Sequence, residues 1–259
     1  MWNPAQYERF RDERKRPFFE LLARVNAEAP AQVVDLGCGT GDLTLVLAER
    51  WPQARVTGVD SSEAMVAEAT RRAAPERVRF ELADLARWTP SAPVDVLVSN
   101  AALHWLPDHP ALLSRLVSLL APGGVLAFQV PANFEAPSHR RIDELRAQPR
   151  FAAKLAPVRR GHAEPLELYE AHLSRLGLTV DAWDTTYLHV LPGEDAVLQW
   201  LLGTTLRPVL AALGPEESQA FLDLLKPLLR MDYPAAERGT PFRFTRRFVV
   251  AVRREGGQA

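Results

Sequence analysis

The 259-residue sequence contains one cysteine and no long run of apolar residues. A single cysteine excludes an intramolecular disulfide framework, and it lies in a glycine-rich loop rather than in a group of zinc ligands, so we expect no metal site. The N-terminus leads directly into a charged stretch, residues 8–16, without an apolar signal segment, and no apolar run is long enough to span a bilayer. These absences predict a cytoplasmic protein that does not cross a membrane.

The sequence also lacks an excess of charge of either sign. Lysine and arginine number 31 and aspartate and glutamate 32, which gives a formal net charge of −1. A strongly basic field, which draws proteins onto nucleic acid, is therefore absent, and we expect no nucleic-acid partner. Hydrophobic residues make up 47% of the chain and charged residues 24%, which is typical of a folded globular protein with a sizeable core.

The first half of the chain alternates between strand-like and helical segments. A helix over residues 4–26 is predicted to precede this alternation. The strands are predicted at residues 32–36, 54–59, 78–82, 94–99 and, after a Pro122-Gly123-Gly124 turn, 125–130. The helices between them are predicted at residues 42–49, 62–72 and 110–120. This β-α-β-α-β order predicts a parallel sheet.

The second half reads as helices with two further strands. A polar helical stretch punctuated by prolines follows residue 131, and then come a helix at 166–176 and a strand at 178–190. Helices broken at Pro208, Gly214-Pro215 and Pro227 precede a last strand at 242–252. We expect one α/β domain, 1–259, with a seven-stranded, mostly parallel sheet and helical cap insertions. The predicted core covers about 30–131, 166–191 and 240–253, and the predicted cap covers 1–28, 132–165 and 192–238.

A glycine-rich loop follows the first strand and reads Asp35-Leu36-Gly37-Cys38-Gly39-Thr40-Gly41. Small residues at a strand-to-helix turn let a ligand approach the backbone closely. About 20 residues later the second strand leads into Asp60, which is placed to accept hydrogen bonds from ribose hydroxyls. Cys38 is interpreted as a small packing residue of the loop and not as a nucleophile.

The loop spacing indicates which nucleotide is bound. Nicotinamide cofactors use G-x-G-x-x-G, whereas Gly37, Gly39 and Gly41 form G-x-G-x-G. Asp35 suits a ligand that carries an ammonium and a sulfonium better than one with two phosphates, because unlike charges attract. Asp84, after the third strand, is either an acceptor for an adenine amino group, with Leu85 packing on the ring, or a turn residue.

These residues, together with Ser99-Asn100-Ala101, resemble class I S-adenosylmethionine-dependent methyltransferases, whose fold is Rossmann-like, over residues 30–130. The resemblance implies that the loop backbone holds the methionine part of the cofactor and that Asn100 lies beside it. It further implies contacts to the ribose and adenine from Asp60, Ser61, Met65, Asp84 and Leu85.

Motifs along nearly the whole chain are similar to the trans-aconitate 2-methyltransferase family. The motifs are Trp2-Asn3-Pro4 with Tyr7, Asp60-Ser61-Ser62 with Met65, Asn100-Ala101-Ala102-Leu103-His104-Trp105-Leu106-Pro107-Asp108-His109, Val117-Ser118-Leu119-Leu120, Thr185-Thr186-Tyr187 and Leu206-Arg207-Pro208. This resemblance implies formation of a methyl ester on one carboxylate of trans-aconitate or a similar small polycarboxylate. Residues 132–165 depart from the family pattern, so the substrate detail is less well specified there.

Ester formation needs no general base, because a carboxylate is already ionised at neutral pH. We therefore predict no catalytic base, and we expect His104 and Trp105 to act in positioning. The remaining carboxylates call for the bidentate fork of arginine, which Arg207 and Arg246 can supply. The other predicted substrate contacts are Tyr7, Gln129 and Tyr187.

Two alternatives remain open from the sequence. One is a carboxyl methyltransferase that acts on another small or carrier-linked acid such as malonyl-carrier. Its support is a basic stretch that consists of Arg140, Arg141, Arg146, Arg150, Lys154, Arg159 and Arg160. The other is a non-enzymatic regulator that binds S-adenosylmethionine.

Overall fold

A computed structural model describes residues 11–72 and 75–254. Its seven strands are β1 (Gln32–Leu36), β2 (Arg55–Asp60), β3 (Val78–Leu82), β4 (Val94–Asn100), β5 (Leu120–Pro131), β6 (Leu178–Leu191) and β7 (Thr240–Arg253). The described α-helices are α1 (Arg11–Leu22), α2 (Asp42–Arg50), α3 (Glu63–Thr70), α4 (His109–Ser118), α5 (Pro137–Arg146), α6 (Pro149–Leu155), α7 (Leu166–Arg175), α8 (Ala196–Leu202), α9 (Leu206–Ala212) and α10 (Pro215–Asp232).

The strands form one sheet in the order β3-β2-β1-β4-β5-β7-β6, and the pairs from β3 through β5 are all parallel. This confirms the predicted seven-stranded, mostly parallel sheet. The order reverses direction at β1, which has β2 on one side and β4 on the other. Ligands of such sheets bind outside the carboxyl ends of the strands at this switch point. The glycine loop after β1 lies there.

The predicted Pro122-Gly123-Gly124 turn lies inside a strand instead of before one. Strand β5 begins at Leu120, and its register against β4 shifts from Val94↔Leu120 to Val96↔Val125. Between these two pairs β5 advances by five residues while β4 advances by two, so β5 contains a large bulge. Within the bulge Gly123 adopts a φ of 74°. A bulge lets the chain contain proline and glycine without ending the pairing.

The chain divides into two compact units. The first contains residues 131–162 and 186–246, together with the described residues up to Lys15, and the second contains 16–130, 163–185 and the residues from Arg247 onward. The predicted single domain with a core and a cap stays a prediction. Within helix α1, the residues up to Lys15 belong to the first unit and those from Arg16 onward to the second.

The second unit is built around the parallel strands. Its core contains Leu36, Leu97, Leu126 and Phe128, all fully buried, and helices α4 and α7 add side chains to the same cluster. Helix α1 ends at Leu22, four residues before the predicted end. Because β1, β2, β3 and β4 are parallel, their carboxyl ends lie along the same edge of the sheet.

The first unit is mainly helical, and its core is formed by Phe151, Trp200, Phe221 and other apolar residues. The prediction that Pro227 breaks a helix is wrong, because α10 continues from Pro215 to Asp232. Burial of Phe221, Leu225 and Leu229 on one face contributes about 1.5–3 kcal/mol each. Together these exceed the cost of an interior proline, about 3 kcal/mol. Pro208 does not break a helix either, since it lies in the first turn of α9, where an N–H has no helical partner.

Candidate active site

The glycine loop connects β1 to α2 through three glycines with positive φ: Gly37 at 90°, Gly39 at 55° and Gly41 at 79°. Side chains are excluded at two of them for lack of space. A Cβ on Gly37 would lie 2.2 Å from the Cβ of Ala102, and one on Gly41 would lie 2.7 Å from the ring of Phe80. A Cβ on Gly39 would meet nothing within 4 Å. The loop is therefore closely packed at both ends and open in the middle.

Asp60, at the carboxyl end of β2, is held by two backbone amides. Its Oδ2 accepts from the N–H of Gly39 at 2.9 Å, and its Oδ1 accepts from the N–H of Ser62 at 2.9 Å. Each carboxylate oxygen has two lone pairs, so each can accept one further bond. The loop itself is joined to β2 because Gly37 and Cys38 both donate to the carbonyl of Val59. The acid is thus oriented by the same backbone that forms the loop.

Asp35 lies in the interior at the end of β1, with 1% of its surface exposed. The hydroxyl of Thr44 donates to its Oδ2 at 2.6 Å. Burial raises the pKa of Asp35 from 3.8 to about 6, against the lowering effect of the Thr44 bond and with a smaller raising effect from Asp60. Burial likewise raises the pKa of the Cys38 thiol, followed by the charges of Asp35 and Asp60, so this cysteine stays protonated and unreactive.

Asp84 opens a short turn after β3. Its Oδ1 accepts from the N–H of Ala86 at 2.9 Å, while the side chain as a whole is exposed. Arg115 of α4 donates to the carbonyls of Leu85 and Trp88 at 2.8 and 2.6 Å, and these two bonds hold the turn against α4. Asp84 therefore takes part in a turn, and its Oδ2 lies 3.8 Å from the Nε of Arg87. Its predicted contact with an adenine amino group stays a prediction. No sequence pattern indicates this role of Arg115, because its partners are backbone atoms 27 and 30 residues away.

Asn100, the last residue of β4, accepts a 2.6 Å hydrogen bond at its Oδ1 from the Nε2 of Gln129. The two residues lie opposite each other in the β4–β5 register. Gln129 is almost completely buried and orients the Asn100 side chain, while its predicted contact with the substrate stays a prediction.

The chain after β4 turns sharply. Ala101 and Asp108 have φ values of 55° and 51°, a left-handed conformation that non-glycine residues rarely adopt. Between them a single 3₁₀ turn, Leu103–Trp105, carries the two predicted positioning residues. His104 is buried, Trp105 is exposed, and their ring centroids are 4.6 Å apart.

Both arginines predicted to bind the substrate lie in the first unit, and Arg246 of β7 is the buried one. It is 7% exposed, and its guanidinium lies 4.6 Å from the centroid of the Phe244 ring. Tyr187, on β6, is also buried and stacks on His189. Arg207, by contrast, is an exposed residue in the first turn of α9. Tyr7 and the Trp2-Asn3-Pro4 motif lie outside the described residues.

The first unit also contains a buried polar group that the sequence did not indicate. Asn133 is 6% exposed, and within the described part of the chain neither its Nδ2 nor its Oδ1 has a hydrogen-bond partner. A few residues on, the buried ring of His139 contacts the hydroxyls of Ser138 and Thr205 at 3.3 and 3.2 Å. Burial, and then the charge of Arg160, lowers the pKa of His139 to about 4, so the ring is neutral at physiological pH.

Comparison with characterised proteins relates this geometry to a family. A protein from Streptomyces coelicolor named trans-aconitate 2-methyltransferase is 49% identical, in an alignment that covers 98% of this chain and 88% of the relative. One of the same name from Mycolicibacterium gilvum is 48% identical over 97% and 98% of the two chains. This chain belongs to the trans-aconitate 2-methyltransferase family. The predicted resemblance is thereby confirmed, as is the class of S-adenosylmethionine-dependent methyltransferases.

Two broader comparisons agree with the membership of this family. A family model described as a methyltransferase domain matches residues 33–124. The crystal structure of the YcgJ protein from Bacillus subtilis superposes with a TM-score of 0.59 at 18% identity, covering 92% of this chain and 98% of the other. A phosphoethanolamine N-methyltransferase of Haemonchus contortus, in complex with S-adenosyl-L-methionine, gives a TM-score of 0.55 at 17% identity, with 92% and 52% covered. At these identities the superpositions show the shared fold.

The second unit of this trans-aconitate 2-methyltransferase family member fits S-adenosylmethionine. The loop is open at Gly39, Asp60 retains acceptor capacity on both oxygens, and Asp35 places a buried carboxylate close to Asp60. A cationic cofactor with a ribose matches these features. Among the described residues, no group of histidine, cysteine, aspartate or glutamate side chains is arranged to hold a metal ion. No helix in residues 11–72 and 75–254 is long and apolar enough to cross a membrane.

Proposed function

We propose that this chain transfers a methyl group from S-adenosylmethionine to one carboxylate of trans-aconitate, or of a similar small polycarboxylate, and so forms a monomethyl ester. The observation that carries the proposal is the 49% identity to a relative named trans-aconitate 2-methyltransferase over 98% of this chain. An alignment of that length includes both compact units, and therefore the residues of the first unit as well as the cofactor-binding loop.

The chemistry places few demands on the protein. Bound S-adenosylmethionine supplies an electrophilic methyl group, and a carboxylate oxygen that bonds to it yields the methyl ester and S-adenosylhomocysteine. A carboxylate is ionised at neutral pH, so no proton has to be removed before the new bond forms. The contribution of the protein is to bind both molecules and align their reacting atoms, which can supply most of the rate acceleration.

Several residues of the second unit are proposed to hold the cofactor. Asp60 accepts from the ribose hydroxyls through the lone pairs that its two backbone bonds leave available. The buried charge of Asp35 attracts the cationic end of the cofactor. The remaining contacts are assigned to the glycine loop backbone and to Ser61, Met65, Asp84, Leu85 and Asn100.

Arg246 is proposed to bind a carboxylate of the substrate that does not react. A buried guanidinium in a low-dielectric environment forms stronger charge-assisted bonds than an exposed one. Burial therefore favours Arg246 over Arg207, which is exposed. Tyr187, on β6 in the same unit, offers a hydroxyl for a second bond.

The carrier-linked alternative is not favoured, because the relatives are named for trans-aconitate, and because three cations of the basic stretch that supported it are paired with carboxylates of the first unit. Its ion pairs and backbone contacts are Arg141 with Asp232 and Glu144, Lys154 with Glu217, Arg160 with Asp143, and Arg146 with the carbonyls of Leu155 and Val158. A docking surface for an acidic carrier protein would leave such cations available to the partner. The regulator alternative is not favoured either, because the relatives are named as enzymes.

The test is a methyl-transfer assay with the purified protein and isotopically labelled S-adenosylmethionine. The acceptors are trans-aconitate, citrate, isopropylmalate and malonyl-carrier protein, and NMR of the product assigns the esterified carboxylate. The highest kcat/KM is expected with trans-aconitate. Preference for the carrier protein, or cofactor binding without transfer to any small acid, contradicts the proposal.

A further inference from the structure

A buried histidine outside the predicted site is hydrogen-bonded to the turn that carries His104 and Trp105. The Nε2 of His109 lies 3.0 Å from the carbonyl oxygen of Leu103, and its Nδ1 lies 2.5 Å from the hydroxyl of Tyr169. Because a carbonyl oxygen carries no proton, Nε2 is the donor to Leu103. In the neutral ring Nδ1 is then an acceptor, and the hydroxyl of Tyr169 donates to it.

The same hydroxyl completes an ordered chain of bonds. Tyr169 accepts from the backbone N–H of Glu164 at 3.0 Å, while it donates to His109. Its ring packs edge-on against Phe128 of β5, with centroids 5.3 Å apart. In a neutral His109 ring each of these bonds has one possible direction, and the tautomer that donates to Leu103 is favoured by a tyrosine that packs on the sheet.

The turn that receives this bond is in an unfavourable conformation and abuts the cofactor loop. It lies between Ala101 and Asp108, both with positive φ, a conformation that persists only where surrounding contacts impose it. Ala102, next to Leu103, fills the space that a side chain on Gly37 would need. A shift of this turn would therefore alter both the glycine loop contact and the position of His104.

We propose that His109 is a positioning residue, which together with Tyr169 fixes the Leu103–Trp105 turn against the glycine loop. Its effect on turnover rests on the proposed methyl transfer, whereas its effect on the turn itself does not. Misplacement of aligned groups by about 1 Å can reduce turnover on the order of a hundredfold.

Three variants separate positioning from general stabilisation. Tyr169→Phe removes the hydroxyl and keeps the ring that packs on Phe128. His109→Leu removes both bonds, and His109→Gln restores them, because its amide nitrogen can donate to Leu103 while its oxygen accepts from Tyr169. A matched control is Ser114→Ala, which removes a 3.0 Å contact with His172 that joins the same two helices, α4 and α7, away from the turn.

The measurements are kcat and KM at a temperature where circular dichroism shows every variant folded, and hydrogen exchange of the Trp105 and Leu106 amides, which close the turn. We expect kcat to fall roughly tenfold or more in Tyr169→Phe and to fall further in His109→Leu, and we expect the two amides to exchange faster in both variants. In His109→Gln, kcat and the exchange rates are expected to return towards the wild-type values. Ser114→Ala is expected to match the wild type. If His109→Leu fails to fold, Tyr169→Phe alone decides.

The proposal is overturned if Tyr169→Phe keeps the wild-type kcat and the wild-type rates of amide exchange. It is also overturned if Ser114→Ala lowers kcat as much as Tyr169→Phe does. If the wild type methylates no polycarboxylate, the proposed function fails. The exchange rates and the cofactor Kd then still test whether His109 positions the turn.

Discussion

Replacement of Asp35 by asparagine is expected to stabilise the fold while it weakens cofactor binding. The carboxylate is buried at the end of β1, and the hydroxyl of Thr44 is its only hydrogen-bond donor that the described contacts include. Burial without a countercharge disfavours the ionised form, which is why its pKa is raised to about 6. Asp35→Asn removes the charge and keeps an oxygen that can accept from Thr44.

The magnitude follows from the shift in pKa. In the unfolded chain the Asp35 carboxyl ionises near 3.8 and in the folded protein near 6, so the folded state binds more protons between these values. The contribution of protonated Asp35 to the free energy of unfolding is fully present below about pH 3.8. It is lost as the pH rises through about 6. Above that, ionisation costs the folded state about 3 kcal/mol, and near pH 5 it costs about half as much. This is an upper value, because a buried amide also costs free energy.

The assay is urea unfolding of the wild type and Asp35→Asn without cofactor, at about pH 5 and about pH 7.5. The variant is expected to be more stable, and its advantage is expected to be larger at the higher pH. Thr44→Val serves as a comparison, since loss of the donor raises the pKa of Asp35 further and lowers stability above it. An advantage that is absent, or that does not change with pH, refutes the reasoning about burial.

Calorimetry with S-adenosylmethionine tests the second part of the prediction, that Asp35→Asn weakens cofactor binding. Nearby opposite charges shift carboxyl pKa values by about one to three units, so the variant should bind the cofactor at least about tenfold more weakly. Wild-type affinity should also decrease as the pH falls below about 6, where Asp35 becomes protonated, while the affinity of Asp35→Asn should not. Equal affinities would show that this charge does not face the cofactor.

Three further substitutions test the site. Gly37→Ala forces a Cβ to within 2.2 Å of Ala102 at a φ of 90°, so calorimetry should show at least about a hundredfold loss of cofactor affinity. Arg246→Ala should raise the KM for trans-aconitate by roughly tenfold to a hundredfold, with the cofactor Kd unchanged, whereas the exposed Arg243→Ala on the same strand should alter neither. His104→Asn should lower kcat without abolishing it, and complete loss with intact cofactor binding would contradict a positioning role.

The sequence predicted the parts of the fold that local patterns determine. Strands β1 and β3 have the predicted bounds, and the glycine-rich segment forms the predicted strand-to-helix turn. The predicted acids lie at or just after the carboxyl ends of β1, β2 and β3. These features depend on side-chain alternation and on residues whose backbone preferences are strong, so a short window of sequence contains the necessary information.

The predictions that were wrong involve competition between local preference and burial. Pro227 favours a helix break, but the apolar residues on both sides of it belong to one buried face, and the helix continues. Prolines 137 and 149 act differently, since each occupies the first turn of its helix, where its missing N–H has no consequence. The residue type alone does not distinguish these positions, because the free energy of burial depends on the tertiary structure.

The polar contacts of the site depend on strand register, as the contact between Gln129 and Asn100 shows. Before the bulge in β5, Val94 pairs with Leu120, and the same register extended without change would place Leu126 opposite Asn100. The bulge inserts three residues, so Gln129 meets Asn100 instead and donates to its side chain. Proline and two glycines indicate an interruption, but they do not specify how many residues it contains or that pairing continues on both sides. The length of this bulge, and no local property of Gln129, therefore determines which side chain orients Asn100.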